Sequence, residues 1–283
     1  MKRQPVLVIH GGTGERPDSR RIAQIRRALR TVAREAYAYL SEHAAVEAAA
    51  FTVQRLEDAP LFNAGTGAAL QRDGRARMSA SIMDGVQRRF AAVLNIERVR
   101  HPVLVARALL EEDDRVLAGP EALRFARAAG FPSWDPITAA RRRQWRRWPH
   151  RCAGYGTVGA VALDLDGRLA TATSTGGKPW ARPGRVSDSG QPVGNYANPM
   201  AAVSCTGIGE EIVEEGLAVR IAQRCADGLL LARAFTRTFR ELAACGRRAG
   251  AIGLDVHGRV AWATTLPVLF AVAWTRRGRM ESF

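Results

Sequence analysis

Short apolar runs that end in glycine alternate with longer alanine-rich stretches along this 283-residue chain. Val6-Leu7-Val8-Ile9 is branched and aliphatic and stops at His10-Gly11-Gly12, which predicts a strand over residues 6–10. Arg21 to Leu40 and Ser41 to Leu56 place apolar residues at helical spacing and predict two helices. Strands are predicted at 75–82 and 89–96 around Asp84-Gly85, and helices at Val103–Glu111 and Pro120–Ala129. Residues 132–153 read as irregular and basic. Val158 to Leu163 is small or β-branched, as a strand buried on both faces requires. Asp164-Leu165-Asp166-Gly167 is a tight turn and Arg168–Thr173 the returning strand, so Thr175 is expected near Thr157. A loop at 177–200, a strand at 201–205, helices at about 209–226 and 229–245, and strands at about 250–255, 259–264 and 269–274 complete the chain. There is no internal repeat. Strands and helices do not alternate strictly, which argues against a doubly wound sheet; two antiparallel sheets between helix layers accommodate the order.

Composition agrees with one enzyme-sized domain, with 47% hydrophobic and 24% charged residues. No apolar run reaches the 18 or so residues that would span a bilayer, and the amino-terminal run is too short for a signal peptide, so a cytoplasmic location is expected. Cys152, Cys205, Cys225 and Cys245 show neither metal spacing nor a disulfide framework, and Cys205 reads as a small core residue. The formal net charge is +15, and all basic residues except Lys2 and Lys178 are arginine. Their even spread argues against one nucleic-acid footprint. The exception, Arg141 to Arg151 with Trp145 and Trp148, admits an anion-binding reading; a solvated linker is the simpler one.

Tyr155-Gly156-Thr157-Val158-Gly159-Ala160 carries the candidate chemistry. A threonine hydroxyl needs an adjacent base to act as a nucleophile. Breaking the Gly156–Thr157 bond would give Thr157 a free amine of ordinary pKa about 7.7–8.0, so one residue would supply nucleophile and base. Gly156 lacks a Cβ and tolerates a strained backbone that exposes its carbonyl. Taken alone, the segment fits an ordinary hairpin that begins at Thr157.

Other segments decide between these readings. Val8-Ile9-His10-Gly11-Gly12-Thr13-Gly14, Leu61-Phe62-Asn63-Ala64-Gly65-Thr66-Gly67, Ala80-Ser81-Ile82-Met83-Asp84-Gly85, Gly156 to Gly177, Pro183-Gly184-Arg185-Val186-Ser187-Asp188-Ser189 and Val203-Ser204-Cys205-Thr206-Gly207-Ile208-Gly209-Glu210 occur in this order. In this the chain resembles the plant-type asparaginase and isoaspartyl peptidase family of N-terminal-nucleophile hydrolases. The last 60 residues or so are similar only loosely.

The resemblance implies an α+β, four-layer αββα sandwich, a single domain over 1–283 that cuts itself into 1–156 and 157–283, and a basic linker at about 133–156. It implies a dimer of such cut pairs. Thr157 is then the nucleophile and Thr175 its support. Thr206 and the Gly207 N–H form the oxyanion hole, and Asn63 holds the nucleophile and the bound amide. Arg185 grips the substrate α-carboxylate, Asp188 pairs with its ammonium, and Gly209 admits a close approach. A guanidinium fork suits a carboxylate, and oxyanion donors contribute about 3–4 kcal/mol each. No organic cofactor is implied. A structural sodium on backbone carbonyls of Leu56, Glu57, Ala59, Phe62, Ala64 and Thr66 is, because hard cations take oxygen ligands. The implied activity is hydrolysis of β-aspartyl amides, isoaspartyl dipeptides or L-asparagine, through a β-aspartyl ester. A glycosylasparaginase-like or threonine endopeptidase specificity, or a non-catalytic arginine-rich binding protein, are the alternatives; nucleic acid and membrane partners are not expected. The chain departs from the family pattern at Ser79, Tyr155, Ser187, Gly190-Gln191-Pro192 and Thr264 to Phe270.

Overall fold

The computed structural model describes residues 4–147 and 156–283. The linker's end at 148–155, with Cys152 and Tyr155, lies outside the described residues. In chain order the elements are β1 (Val6–Gly14), α1 (Ser19–Leu40), α2 (Ala45–Glu57), β2 (Met78–Asp84), β3 (Arg89–Ile96), α3 (Pro102–Leu109), β4 (Val116–Ala118), α4 (Gly119–Ala128) and α5 (Ala139–Arg146). After the junction come β5 (Val158–Leu163), β6 (Leu169–Thr175), β7 (Asn195–Ala197), β8 (Ala201–Gly207), α6 (Gly209–Glu215), α7 (Leu217–Ala226), α8 (Leu231–Ala244), β9 (Ala249–Asp255), β10 (Val260–Thr264), β11 (Val268–Thr275) and β12 (Gly278–Ser282).

An eight-stranded sheet runs β12-β11-β1-β5-β6-β2-β3-β4 and a four-stranded sheet β10-β9-β8-β7. Pairing is antiparallel except between β3 and β4. α1, α2 and α3 pack on the outer face of the large sheet, and α7 and α8 on that of the small one. The inner faces meet through β1, β5 and β6 against β8 and β9. The architecture is the four-layer αββα sandwich.

Side-chain alternation sorts the two faces of each central strand. In β5, Val158, Ala160 and Ala162 point to the helices and Val161 and Leu163 to the second sheet. By the same alternation Thr157 starts on the inter-sheet side. Alanines on the helix side let α2 lie close above β5 and β6.

Several boundaries differ from expectation for local reasons. β1 continues past His10 to Gly14 through an irregular register between His10 and Thr13. The helix expected over 209–226 is broken at Gly216, which sits at φ +57° where an L side chain is strained. Three-residue β4 and β7 and the mostly polar edge strand β12 carry too little pattern to be legible. The stretch expected to be irregular contains α5, capped by the Thr138 hydroxyl on the Arg141 N–H at 3.2 Å. Among the described residues no helix is long and apolar enough to cross a membrane.

Candidate active site

Pairing of Val158 with Ser174 places Thr157, just ahead of β5, opposite Thr175 at the end of β6. The Thr157 hydroxyl donates to Thr175 Oγ1 at 3.2 Å, and the Gly177 N–H donates to the same oxygen at 3.1 Å. Both threonines are buried. Thr175 thus holds the Thr157 oxygen in one orientation and takes up its proton's direction.

The Gly156 carbonyl, at the other end of the junction, accepts from the Asn63 N–H at 3.0 Å. An added Cβ at Gly156 would lie 2.9 Å from Asn63 Cβ, so glycine is needed here for close approach. The Asn63 carbonyl accepts from Gly176, its side-chain oxygen from the Ala69 N–H at 2.7 Å, and its amide donates to Gly177 O at 2.7 Å. The Asn63 side chain therefore pins the ends of the loop around the junction, and its backbone N–H meets the carbonyl that an attacking Thr157 oxygen would reach. Behind β6, the Ser174 hydroxyl donates to Glu57 Oε1 at 2.5 Å, as does Val103 N at 3.1 Å. Burial pushes the Glu57 carboxyl well above the ordinary range.

The residues expected to bind substrate converge at Gly209. A Cβ there would fall 2.6 Å from Arg185 Nη2 and 2.7 Å from Asp188 Oδ1. Only a bare backbone leaves room between a guanidinium and a carboxylate that close together. Asp188 opens a short 3-10 turn, Asp188–Gly190, and its Oδ2 is buried with no hydrogen-bond partner. Burial raises its pKa to about 6 against the opposing pull of the Ser187 hydroxyl and Arg185. Thr206 Oγ1 is likewise buried and unpartnered. Buried polar atoms without partners are rare, and Asp188 Oδ2, beside Arg185 at the Gly209 notch, is an acceptor left for a polar ligand. Gly207, at φ +137°, lies against Arg248 O and Ala249, where a Cβ would collide.

Two residues of this pocket were given no role from sequence. Glu210 forms a two-point ion pair with Arg185 at 2.9 Å for both contacts, which aims the guanidinium. Its signal was present in the last motif block, but a partner 25 residues away is invisible to spacing. Ser187, which stands where glycine was expected, donates its hydroxyl to Asp188 Oδ1 at 2.9 Å.

A buried polar chain connects β1 to the Asp188 turn. His10 Nε2 meets Ser204 Oγ at 2.8 Å and Ser204 Oγ meets Thr173 Oγ1 at 2.7 Å. Thr173 and Thr171 donate to Asn195 Oδ1 at 3.0 and 2.7 Å. Asn195 then donates to Ser81 Oγ at 2.9 Å, and Ser81 to Ser189 O at 2.6 Å. Since Thr173 spends its one proton on Asn195, Ser204 donates to Thr173 and His10 Nε2 carries the hydrogen. Burial lowers the His10 pKa to about 3, so the ring is neutral at any physiological pH. Gly159 makes the space: a Cβ there would fall 2.0 Å from Ser204 Oγ and 2.4 Å from His10 Nε2.

The described part of the arginine–tryptophan segment, up to Arg147, includes the helix α5, which touches the fold through Arg141 and Trp145 while Arg142, Arg143, Arg146 and Arg147 are exposed. Arg141 Nε donates to Gly67 O at 2.5 Å and its Nη2 to Phe62 O at 3.3 Å. Trp145 Nε1 donates to Gln71 O at 3.0 Å, and the Trp145 ring stacks on Trp180 at 6.3 Å. In the neighbouring loop the carbonyls of Pro60 and Phe62 both lie 2.9 Å from a Cβ placed at Gly67. Thr66 N–H takes Glu57 O at 2.8 Å and Phe62 N–H takes Ala59 O at 3.1 Å, leaving each carbonyl a second lone pair. The donor set suits a hard monovalent cation in kind. Cys205 is fully buried and burial raises its thiol pKa, as fits an inert core residue.

A family model described as asparaginase matches residues 3–282. A Nostoc sp. protein named isoaspartyl peptidase/L-asparaginase is 43% identical, over 95% of this chain and 91% of its own length. An Escherichia coli isoaspartyl peptidase is 38% identical, over 90% of this chain and 88% of its own. The chain belongs to the plant-type asparaginase and isoaspartyl peptidase family. Family membership extends through the carboxy-terminal strands whose motifs were only loosely similar. A Pyrobaculum calidifontis plant-type L-asparaginase is 37% identical over 98% of both chains.

Proposed function

We propose that the protein is an amidohydrolase that cleaves β-aspartyl amides after cutting itself between Gly156 and Thr157. The observation that carries the substrate class is the Gly209 notch: Arg185 and Asp188 converge there, with Asp188 Oδ2 unpartnered. A guanidinium beside an ionisable carboxylate selects an α-amino acid head group. The relatives named isoaspartyl peptidase and L-asparaginase support the same reading.

In the uncut chain, Thr157 Oγ attacks the Gly156 carbonyl, whose oxygen already faces the Asn63 N–H. The Gly156–Thr157 C–N bond breaks as the ester forms, the hydroxyl proton passing to the freed Thr157 amine, and water then cleaves the ester to a Gly156 carboxylate and the Thr157 hydroxyl. In turnover that amine takes the hydroxyl proton as Oγ attacks the substrate β-carbonyl. Thr206 Oγ1 and the Gly207 N–H receive the negative charge on the carbonyl oxygen, which would satisfy the orphaned Thr206 hydroxyl. The amine returns the proton to the departing nitrogen, and water cleaves the β-aspartyl ester to aspartate. Carbonyls of Leu56, Glu57, Ala59, Phe62, Ala64 and Thr66 would hold a sodium ion, which supplies rigidity to the loop bearing Asn63 and no bond-making chemistry. The cut units would pair as a dimer.

The test is hydrolysis of β-aspartyl-leucine and L-asparagine by purified, processed protein, read as aspartate release. Aspartate from either supports the reading; a processed protein that releases none contradicts it.

A further inference from the structure

The proposed reaction, on which this inference rests, fixes where a leaving group must go. Thr157's amine can return a proton only to a nitrogen within hydrogen-bond reach, about 2.6–3.2 Å. In the uncut chain the Thr157 nitrogen is bonded to Gly156. Whatever the substrate's leaving nitrogen carries is therefore directed to the side that Gly156 occupies before the cut.

A cavity of about 180 Å³ lies on that side, with Gly156 and Asn63 in its wall. The β1–α1 connection contributes Thr13 and Glu15, the start of α1 contributes Arg21, and α5 contributes Arg141. Arg21 and Arg141 line the cavity with Glu15, the Asp18 carboxylate lies close to Arg21, and the Arg141 guanidinium is engaged by Gly67 O, Phe62 O and Gln144, which leaves Arg21 as the cation available to a ligand. Arg21 is held at the rim by donating through Nη2 to Leu61 O at 2.7 Å. Phe62 alone separates Leu61 from Asn63, whose N–H touches the Gly156 carbonyl at 3.0 Å. At roughly 30 Å³ of liquid volume per water, the cavity holds about six waters, or one small amino acid.

We propose that this cavity is the leaving-group subsite, and that Arg21 recognises the free α-carboxylate of the second residue of a β-aspartyl dipeptide. Attack by Thr157 Oγ forms the ester bond as the amide C–N bond breaks. The departing amino acid takes the proton from the Thr157 ammonium and leaves with its carboxylate on Arg21. L-Asparagine, whose leaving group is ammonia, gains nothing from this subsite. The protein is on this account a dipeptidase first and an asparaginase second.

The test compares kcat/KM for β-aspartyl-leucine with that for its carboxy-terminal amide, which differs only in the charge offered to Arg21. A charge-assisted hydrogen bond corresponds to a preference of about 10–100-fold for the free acid in the wild-type enzyme. Arg21→Gln is expected to bring that ratio close to one and Arg21→Lys to restore part of it. A wild-type ratio near one, needing no variant to fold, overturns the subsite; so does an Arg21→Gln enzyme that keeps the preference. Hydrolysis of both dipeptides at equal rates leaves the proposed β-aspartyl activity standing while removing the subsite. A processed enzyme inactive on all β-aspartyl amides removes both.

Discussion

The Thr157 hydroxyl donates to the Thr175 hydroxyl at 3.2 Å across the β5–β6 pair, and the Gly156 carbonyl just ahead of it accepts from the Asn63 N–H at 3.0 Å. On the proposed mechanism these are a nucleophile, the acceptor that orients its hydroxyl and an oxyanion donor around the one peptide bond to be cut. Thr157→Ala removes the attacking oxygen and is expected to leave the chain whole and to lower turnover by at least about 10⁴-fold. Thr175→Ala keeps the attacking oxygen but loses its orientation, and should slow cutting by about 10²-fold or more. Gel and mass analysis over several days distinguishes the two.

Gly156→Ala tests the close approach at the junction. Its Cβ would meet Asn63 Cβ at 2.9 Å and push the carbonyl off the Asn63 N–H. Loss of one preorganised oxyanion donor corresponds to about 10²–10³-fold in rate, so cutting should slow by that factor. Thermal unfolding of the variant should remain cooperative.

Asp188 gives the activity an acid limb. Burial favours its neutral form up to a pKa of about 6, and only the anion pairs with a substrate ammonium. Below that value Asp188 should add about one decade per pH unit to the fall that protonation of the Thr157 amine already causes, and its own contribution should level off above it. Ser187→Gly removes a donor to the Asp188 anion, so the limb should move to higher pH. A pH–rate profile that is flat between 4.5 and 6.5 would exclude this role.

Much of the site was legible because its motifs are local: strand pairing puts Thr175 opposite Thr157, and Arg185 and Asp188 share one loop. What escaped depends on contacts between distant segments. The Arg185–Glu210 pair joins a loop to the start of α6, and His10 reaches Ser204 across the gap between sheets. Neither pairing leaves a periodic trace. The break at Gly216 was missed because helical spacing continues on both sides of it, and α5 because charged residues hide its short pattern. The four layers themselves follow from element order only once the sheets' inner faces are known.

The inter-sheet polar chain makes Gly159 the least replaceable small residue of β5. An alanine Cβ would overlap Ser204 Oγ and the His10 ring, so either the sheets separate or the chain breaks. Gly159→Ala is expected to destabilise the fold by about 1–3 kcal/mol, read by urea unfolding. Ala160→Gly on the helix face of the same strand should cost only about 0.5–1 kcal/mol.

The most direct measurement is the intact mass of the purified protein, with amino-terminal sequencing of each fragment. The account predicts two fragments of about 17 and 14 kDa, the 30.8 kDa chain divided in proportion at residue 156, the smaller beginning at Thr157. A chain that stays whole after prolonged incubation yet hydrolyses β-aspartyl amides, or a cut at any other bond, would contradict it.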